Sequence, residues 1–317
     1  MGGRRCAIAT LCAALASSSG CLSDLTKPPG LDGGGEGEDG GGGEPDAGGG
    51  GPRCDPALPF GEPVLLTTAP SSINTTWEDG WPRVSRDDLT LYWVRAQERD
   101  GGRFLGGNLF FVTRDAPDTL FDSETSMYEQ EFSSDANNDA PFLSPDATEL
   151  YYSSAVDHIF VSDRGAGGGL FPYPGELVNF GTEGVRDMHP YLVGDDRMYF
   201  TSSRSGSPDV LRVYSSTRSG ADWNSPTSLN IGPDIQQIAP VVSSDHRVLF
   251  FSADGTLYRA VRGGGGTFET ALPADDLNEG ISYPGSLSRD DCILYFHSDR
   301  SGGDFDIWIA QATVIDD

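Results

Sequence analysis

The stretch Trp81-Pro82-Arg83-Val84-Ser85-Arg86-Asp87 returns four more times along the chain. The later copies are Ala140-Pro141-Phe142-Leu143-Ser144-Pro145-Asp146, His189-Pro190-Tyr191-Leu192-Val193-Gly194-Asp195, Ala239-Pro240-Val241-Val242-Ser243-Ser244-Asp245 and Tyr283-Pro284-Gly285-Ser286-Leu287-Ser288-Arg289-Asp290, the last with one extra residue. Each copy runs from a proline into an acidic turn. The prolines are 59, 49, 50 and 44 residues apart, the period of one four-stranded propeller blade per repeat. After each acidic turn comes a short apolar run, at 89–94, 150–152, 198–200, 248–251 and 293–296. Its β-branched and aromatic residues are those of a strand covered on both faces. A further strand is predicted in each unit, at 109–113, 158–162, 210–214, 256–261 and 306–310. No segment sustains helical periodicity, so the expected fold class is all-β. The expected architecture is a single β-propeller of five blades, with six as the alternative.

Three segments carry a resemblance to a known family: Leu143-Ser144-Pro145-Asp146, Thr201-Ser202-Ser203-Arg204-Ser205-Gly206, and His297-Ser298-Asp299-Arg300-Ser301-Gly302-Gly303 with Asp306-Ile307-Trp308. Their order resembles the TolB-like (WD40-like) propeller repeat: a Pro, a Ser-Pro-Asp-Gly turn, an aromatic strand, a Ser-x-Arg loop and a second strand. Between units, Trp223-Asn224-Ser225-Pro226 with Leu229 and Gly232 is similar to the family linker. The resemblance covers residues 60–313. It departs from the pattern in every copy at the turn glycine after Asp. The resemblance implies a noncatalytic binding or scaffolding propeller.

A strand at 62–68 precedes the first full repeat, while the last repeat ends near Thr313 without an outer strand. The two gaps fill each other, so the N-terminal strand is expected to close the ring and remove its exposed edges. Cys54 and Cys292 would lock the same seam as a disulfide, with free thiols as the alternative.

The chain opens with Arg4 and Arg5, an apolar stretch at 6–16 and the small residues Ser17-Ser18-Ser19-Gly20. That is the layout of a secretory signal peptide, too short in its apolar part for a membrane-spanning helix. Ser19-Gly20-Cys21 resembles a lipoprotein box, with Ser18 where an aliphatic residue is usual. Residues 1–20 are therefore read as a lipoprotein signal peptide and Cys21 as the lipidated N-terminus. Leu22 beside the anchor resembles the sorting pattern of the outer membrane. Residues 21–53, rich in Gly, Asp and Glu, have little to bury and are read as a disordered tether. Residues 54–317 form the propeller domain, expected to be a monomer held to the cell envelope by its lipid alone. The formal charge of −27 becomes −29 once Arg4 and Arg5 leave with the signal. Such a chain is a poor partner for nucleic acid and anionic lipid.

Asp79, Asp139, Asp187, Gln237 and Glu279 stand just before the innermost strands, where one mouth of the channel is expected. They read either as a partial carboxylate ring for a cation or a basic side chain, or as solvated loop acids. Trp81, His189 and Tyr283, each one residue before its proline, are candidates to line the same mouth or to pack in the core or at the rim. Asp135-Ala136-Asn137-Asn138-Asp139 alternates oxygen ligands like the start of a calcium loop but lacks its later Gly and Glu. No cofactor is expected, with that calcium as the one alternative. Arg204 with Asp209, and Arg300 with Asp306, are candidates to pair across their loops. No Gly-x-Ser-x-Gly elbow or His-x-x-x-His set occurs. The chain therefore reads as an envelope module that docks a protein partner. The alternatives are a lectin-like binder of glycan or peptidoglycan, and a five-bladed glycoside hydrolase using two of the channel carboxylates.

Overall fold

The computed structural model describes residues 53–315 except 67–72, 101–102, 106, 122–125, 128–137, 155, 166–170, 173, 182–183, 206–209 and 233–234. The signal peptide, Cys21 and the tether lie outside the described residues, as do Asp135 to Asn137 of the calcium-like stretch and Asp209. All regular structure among the described residues is β.

The chain enters through β1 (Arg53–Asp55) and β2 (Val64–Leu65). Blade 1 is β3 (Glu78–Val84), β4 (Thr90–Ala96), β7 (Asn108–Thr113) and β8 (Ser126–Met127), with an inserted hairpin of β5 (Glu98–Asp100) and β6 (Arg103–Leu105). Blade 2 is β9 (Asp139–Leu143), β10 (Glu149–Ser153), β11 (Ile159–Asp163) and β12 (Glu176–Leu177). Blade 3 is β13 (Asp187–Val193), β14 (Arg197–Ser202) and β15 (Arg212–Ser219), with β16 (Asp222–Trp223) and β17 (Thr227–Ser228) both pairing β15. Blade 4 is β18 (Ile238–Val242), β19 (Val248–Ala253), β20 (Thr256–Val261) and β21 (Leu272–Pro273). Blade 5 is β22 (Ser282–Leu287), β23 (Ile293–Ser298) and β24 (Asp306–Gln311), and its outer strand is β2. The last strand, β25 (Thr313–Ile315), pairs β1. The inner strands β3, β9, β13, β18 and β22 touch in ring order, and β22 returns to β3. The fold is a five-bladed β-propeller.

Two backbone devices explain the repeat. In blades 1 to 4 the inner and middle strands lose register at the proline, as between Gly80 and Arg83 or Met188 and Tyr191, and in blade 5 they lose it just after the proline. Proline has no N–H to give to a ladder, and a bulge is where a sheet tolerates it. The preceding residue then turns left-handed, with φ of 56° at Trp81, 47° at Ala140, 55° at His189 and 56° at Ala239. Blade 5 solves the same problem differently. Register places Ser286 opposite Tyr295 as Arg83 stands opposite Tyr92, so Gly285, not Pro284, occupies the bulge position of Pro82. A Cβ there would lie 2.4 Å from the Pro82 carbonyl oxygen, which requires glycine and accounts for the extra residue.

The second device is the acidic turn. Ser85, Ser144, Ser243 and Ser288 each donate a hydroxyl to the aspartate two residues on, at 2.5–2.6 Å. Those hydroxyls in turn accept backbone N–H groups from the next strand. Where the family repeat has glycine, Asp88, Ala147, His246 and Asp291 hold φ of 56–59°, so the missing glycines leave strained residues and not a different turn.

The N-terminal segment is fastened to blade 5 in three ways. Val64 pairs Ile309 and Leu65 pairs Trp308. The Asn74 side chain donates to the carbonyls of Leu66 and Ile307 and accepts the Ile307 N–H. A disulfide joins Cys54 to Cys292, 238 residues apart.

Candidate functional site

The two ends of the propeller axis differ in kind. At the end where the sequence places a mouth, aromatic rings fill the axis. Trp81 stacks on His189 at 4.9 Å, and Tyr283 stacks on His297 at 5.1 Å. Phe305 and Phe104, both fully buried, pack edge-on against His297. Phe104 comes from the inserted β5–β6 hairpin, and Gly80 is small enough to let it approach: a Cβ there would lie 2.5 Å from its ring. Trp81, His189 and Tyr283 are accordingly a plug and not a channel lining. All three are buried.

Side chains in the middle strands position that plug. The left-turned amide of His189 donates to Ser153, that of Ala239 to Thr201, and that of Trp81 to His297 Nδ1. Ser153, Thr201 and His297 occupy one equivalent strand position, so blades 2, 3 and 5 each tie the bulge of the next. Burial holds the His297 imidazole well below its ordinary pKa. The ring is therefore neutral, with Nδ1 as acceptor and its proton on Nε2.

The carboxylates predicted to form a ring are mostly committed. Asp79 accepts from Arg95 Nε at 2.6 Å, Trp93 Nε1 at 3.0 Å, and both the N–H and hydroxyl of Thr75. Burial outweighs these bonds and pushes its carboxyl up to about 6. Arg204 grips both oxygens of Asp187, at 2.8 and 2.6 Å; burial raises that carboxyl as well. Gln237 accepts from the Val213 N–H and donates to the Gly232 carbonyl, at the edge of a polar hollow between blades 3 and 4. Asp139 is buried beside Asn138, and Glu279 is exposed at the surface. The five residues thus divide among buried latches and one surface acid and do not converge as a ring. Of the loop pairs predicted for the arginines, Arg300 with Asp306 is corrected, while Arg204 with Asp209 lies outside the described residues. Arg204 serves Asp187, while Arg300 donates to the Leu277 carbonyl and Ser298 and lies over Phe296 and Trp308. Among the described residues no group of three His, Cys, Asp or Glu side chains is placed to hold a metal.

The opposite end is open. A funnel of about 400 Å³ descends along the axis between the acidic turns, lined by residues of all five blades. Its wall mixes the apolar Val84, Leu143, Tyr191, Val242 and Leu287 with Ser85, Ser244, Ser286 and Ser288, and Arg86 and Arg289 also line it. Its volume falls in the range of small-ligand clefts. Neighbouring turns are tied across the blades. Asp88 accepts the Arg289 N–H, and Asp291 accepts the N–H and hydroxyl of Ser244. Burial pushes both carboxyls up to about 6. At the floor, Arg83, Phe142, Tyr191, Val241 and Ser286 hold equivalent positions, opposite Tyr92, Tyr151, Tyr199, Phe250 and Tyr295. Sequence reasoning passed over this floor. The available signal was Arg83 in a column with no other charge.

No protein-family model matches the chain, and no curated protein matches it in sequence. Solved structures do resemble it. A GH43_1 enzyme from Xanthomonas citri is 13% identical, with a TM-score of 0.51 over 77% of this chain and 93% of that one. A putative TolB from Agrobacterium tumefaciens is 15% identical, with a TM-score of 0.43 over 75% and 84%. A gluconolactonase from Xanthomonas campestris is 12% identical, with a TM-score of 0.45 over 83% and 97%. At these identities the likeness concerns the fold alone.

Proposed function

We propose that this chain is a lipid-anchored binding module of the cell envelope, which docks a protein partner on the turn face of its propeller. The observation that carries the reading is the contrast between the two ends of the axis. The turn face offers a funnel to which all five blades contribute. Asp79 and Asp187, two of the carboxylates on which a glycosidase would draw, are buried against Arg95 and Arg204 at the plugged end. A retaining or inverting glycosidase needs one carboxyl free to protonate a leaving group and another facing the sugar. Anchoring through Cys21, a tether over 21–53, an outer-membrane site and a monomeric state belong to the same proposal.

The test pairs affinity capture from solubilised envelopes with turnover on a glycan panel. Capture of one protein by the wild type, lost on Leu143→Glu in the funnel wall and kept on Glu279→Gln at the other end, would support the reading. Glycan turnover abolished by Asp187→Asn would overturn it in favour of a hydrolase. Saturable glycan binding without turnover, lost on Leu143→Glu, would replace the protein partner by a glycan.

A further inference from the structure

Beneath the rings that floor the funnel lies a cation that stability alone does not explain. Arg83 is 2% exposed. Its Nε donates to the Pro141 carbonyl at 3.2 Å, but Nη1 and Nη2, both buried, have no hydrogen-bond partner among the described residues. The guanidinium lies over the rings of Phe142 and Tyr191, 5.7 and 5.4 Å from their centroids. Burial lowers its pKa to about 10, so it is charged at neutral pH. Asp139 offsets part of this charge, but a buried guanidinium with four of its five N–H donors unused is destabilising, and an apolar side chain of similar size is usually as stable or more so. The equivalent positions in the other blades hold Phe142, Tyr191, Val241 and Ser286, so the architecture does not demand arginine.

Phe142 and Tyr191, the rings that cover the guanidinium, also line the funnel, and Phe142 is only half-buried. Above them Val84, Leu143, Val242 and Leu287 line the wall among four serines, and Arg86 and Arg289 also line the funnel, in a chain whose net charge is −27. The site therefore offers two arginines in its lining, a third beneath its floor, and apolar patches between. Two adjacent guanidinium nitrogens match two oxygens of one planar acid group. Asp196 and Asp291, also in the lining, oppose a more highly charged anion such as a phosphate dianion.

We propose that the turn-face funnel takes a carboxylate carried on an apolar or aromatic body, whose two oxygens pair with Nη1 and Nη2 of Arg83 once the Phe142 ring turns aside. This rests on reading the funnel as the binding face and names the chemistry that it recognises. The carboxylate has two sources: a free organic acid, or the C-terminus of a docked protein ending in an apolar residue.

The experiment titrates the purified full-length protein, in detergent, with phenylacetate and hexanoate, with their amides as uncharged controls. A peptide ending in Val-Leu with a free carboxylate, and the same peptide amidated, form the second arm. The acids are expected to bind saturably and at least about tenfold more tightly than the amides, the difference made by a charge-assisted bidentate pair. Arg83→Met should abolish that difference while leaving the melting temperature unchanged or higher; Arg83→Lys, which keeps the charge without the fork, should reduce it. A tighter peptide assigns the source to a protein C-terminus, and a tighter free acid assigns it to a small metabolite. The proposal is overturned if acids and amides bind alike, if neither binds, or if Arg83→Met lowers the melting temperature and leaves acid binding intact. Loss of carboxylate binding with partner capture still sensitive to Leu143→Glu would remove this proposal and leave the docking reading standing.

Discussion

Removing the disulfide at the seam should destabilise the propeller by an amount that can be worked out. Cys54 and Cys292 enclose 238 residues of separation, nearly the whole folded domain. In the chain-entropy account a loop of that size restricts the unfolded ensemble by about 5 kcal/mol. The native contacts at the seam, the β2–β24 pairs, the Asn74 clamp, the β1–β25 ladder and the packing of β3 on blade 5, remain without the crosslink, so the loss is that of the crosslink itself. Since whole domains are stable by roughly 5–15 kcal/mol, the double variant Cys54→Ser/Cys292→Ser should lose about a third or more of its stability. Urea unfolding followed by tryptophan fluorescence measures this. The midpoint should fall, and the slope should rise, because an uncrosslinked chain exposes more surface on unfolding. Reduction of the wild type with dithiothreitol should reproduce both changes. A loss below about 1 kcal/mol, or a slope that does not move, would show that the ring is closed without the crosslink and refute the reasoning.

Other consequences are smaller. Ala147 holds φ 56° at a turn position where glycine relieves strain, so Ala147→Gly should raise stability by about 0.5–1 kcal/mol in the same urea assay. Phe104→Ala empties part of the axial plug and should cost about 3–5 kcal/mol by thermal unfolding, while partner capture at the other end persists. Burial raises the folded-state carboxyls of Asp79, Asp88 and Asp291 from 3.8 to about 6. The folded state then binds protons more tightly than the unfolded one between those values, so stability should rise as pH falls from 7 to about 5. Glu149, held below its ordinary range by Arg218, has the opposite sign. Its contribution is lost as pH falls through its lowered pKa, so the melting temperature should pass through a maximum on the acid side of neutrality.

How legible this molecule is depends on which kind of residue carries the information. The blades are legible because one proline and one acidic turn recur at the spacing of a supersecondary unit, and the seam because a strand is left over at the N-terminal end, an outer strand is missing from the last repeat, and a cysteine stands at each. The closed end of the axis is not legible, since it depends on Phe104, whose hairpin interrupts blade 1 without any repeat signal. Position alone therefore left Trp81, His189 and Tyr283 between a mouth lining and core or rim packing, and the insertion makes them a plug. Asp79 and Asp187 read as free acids because their partners, Arg95 and Arg204, lie 16 and 17 residues away in strands and loops whose facing is known only after folding. Arg83 was visible in the alignment of the copies, but only the equivalence of the floor positions makes its charge an anomaly.

The central claim is that the turn-face funnel, and not the plugged end, meets the partner. Photo-crosslinking side chains placed one at a time at Arg86 and Arg289 on the funnel rim, and at Trp77 and Glu279 near the plug, test it in intact envelopes. The account predicts one shared adduct from both rim positions and none from the other two. Adducts from Trp77 and Glu279 with a silent rim would contradict it.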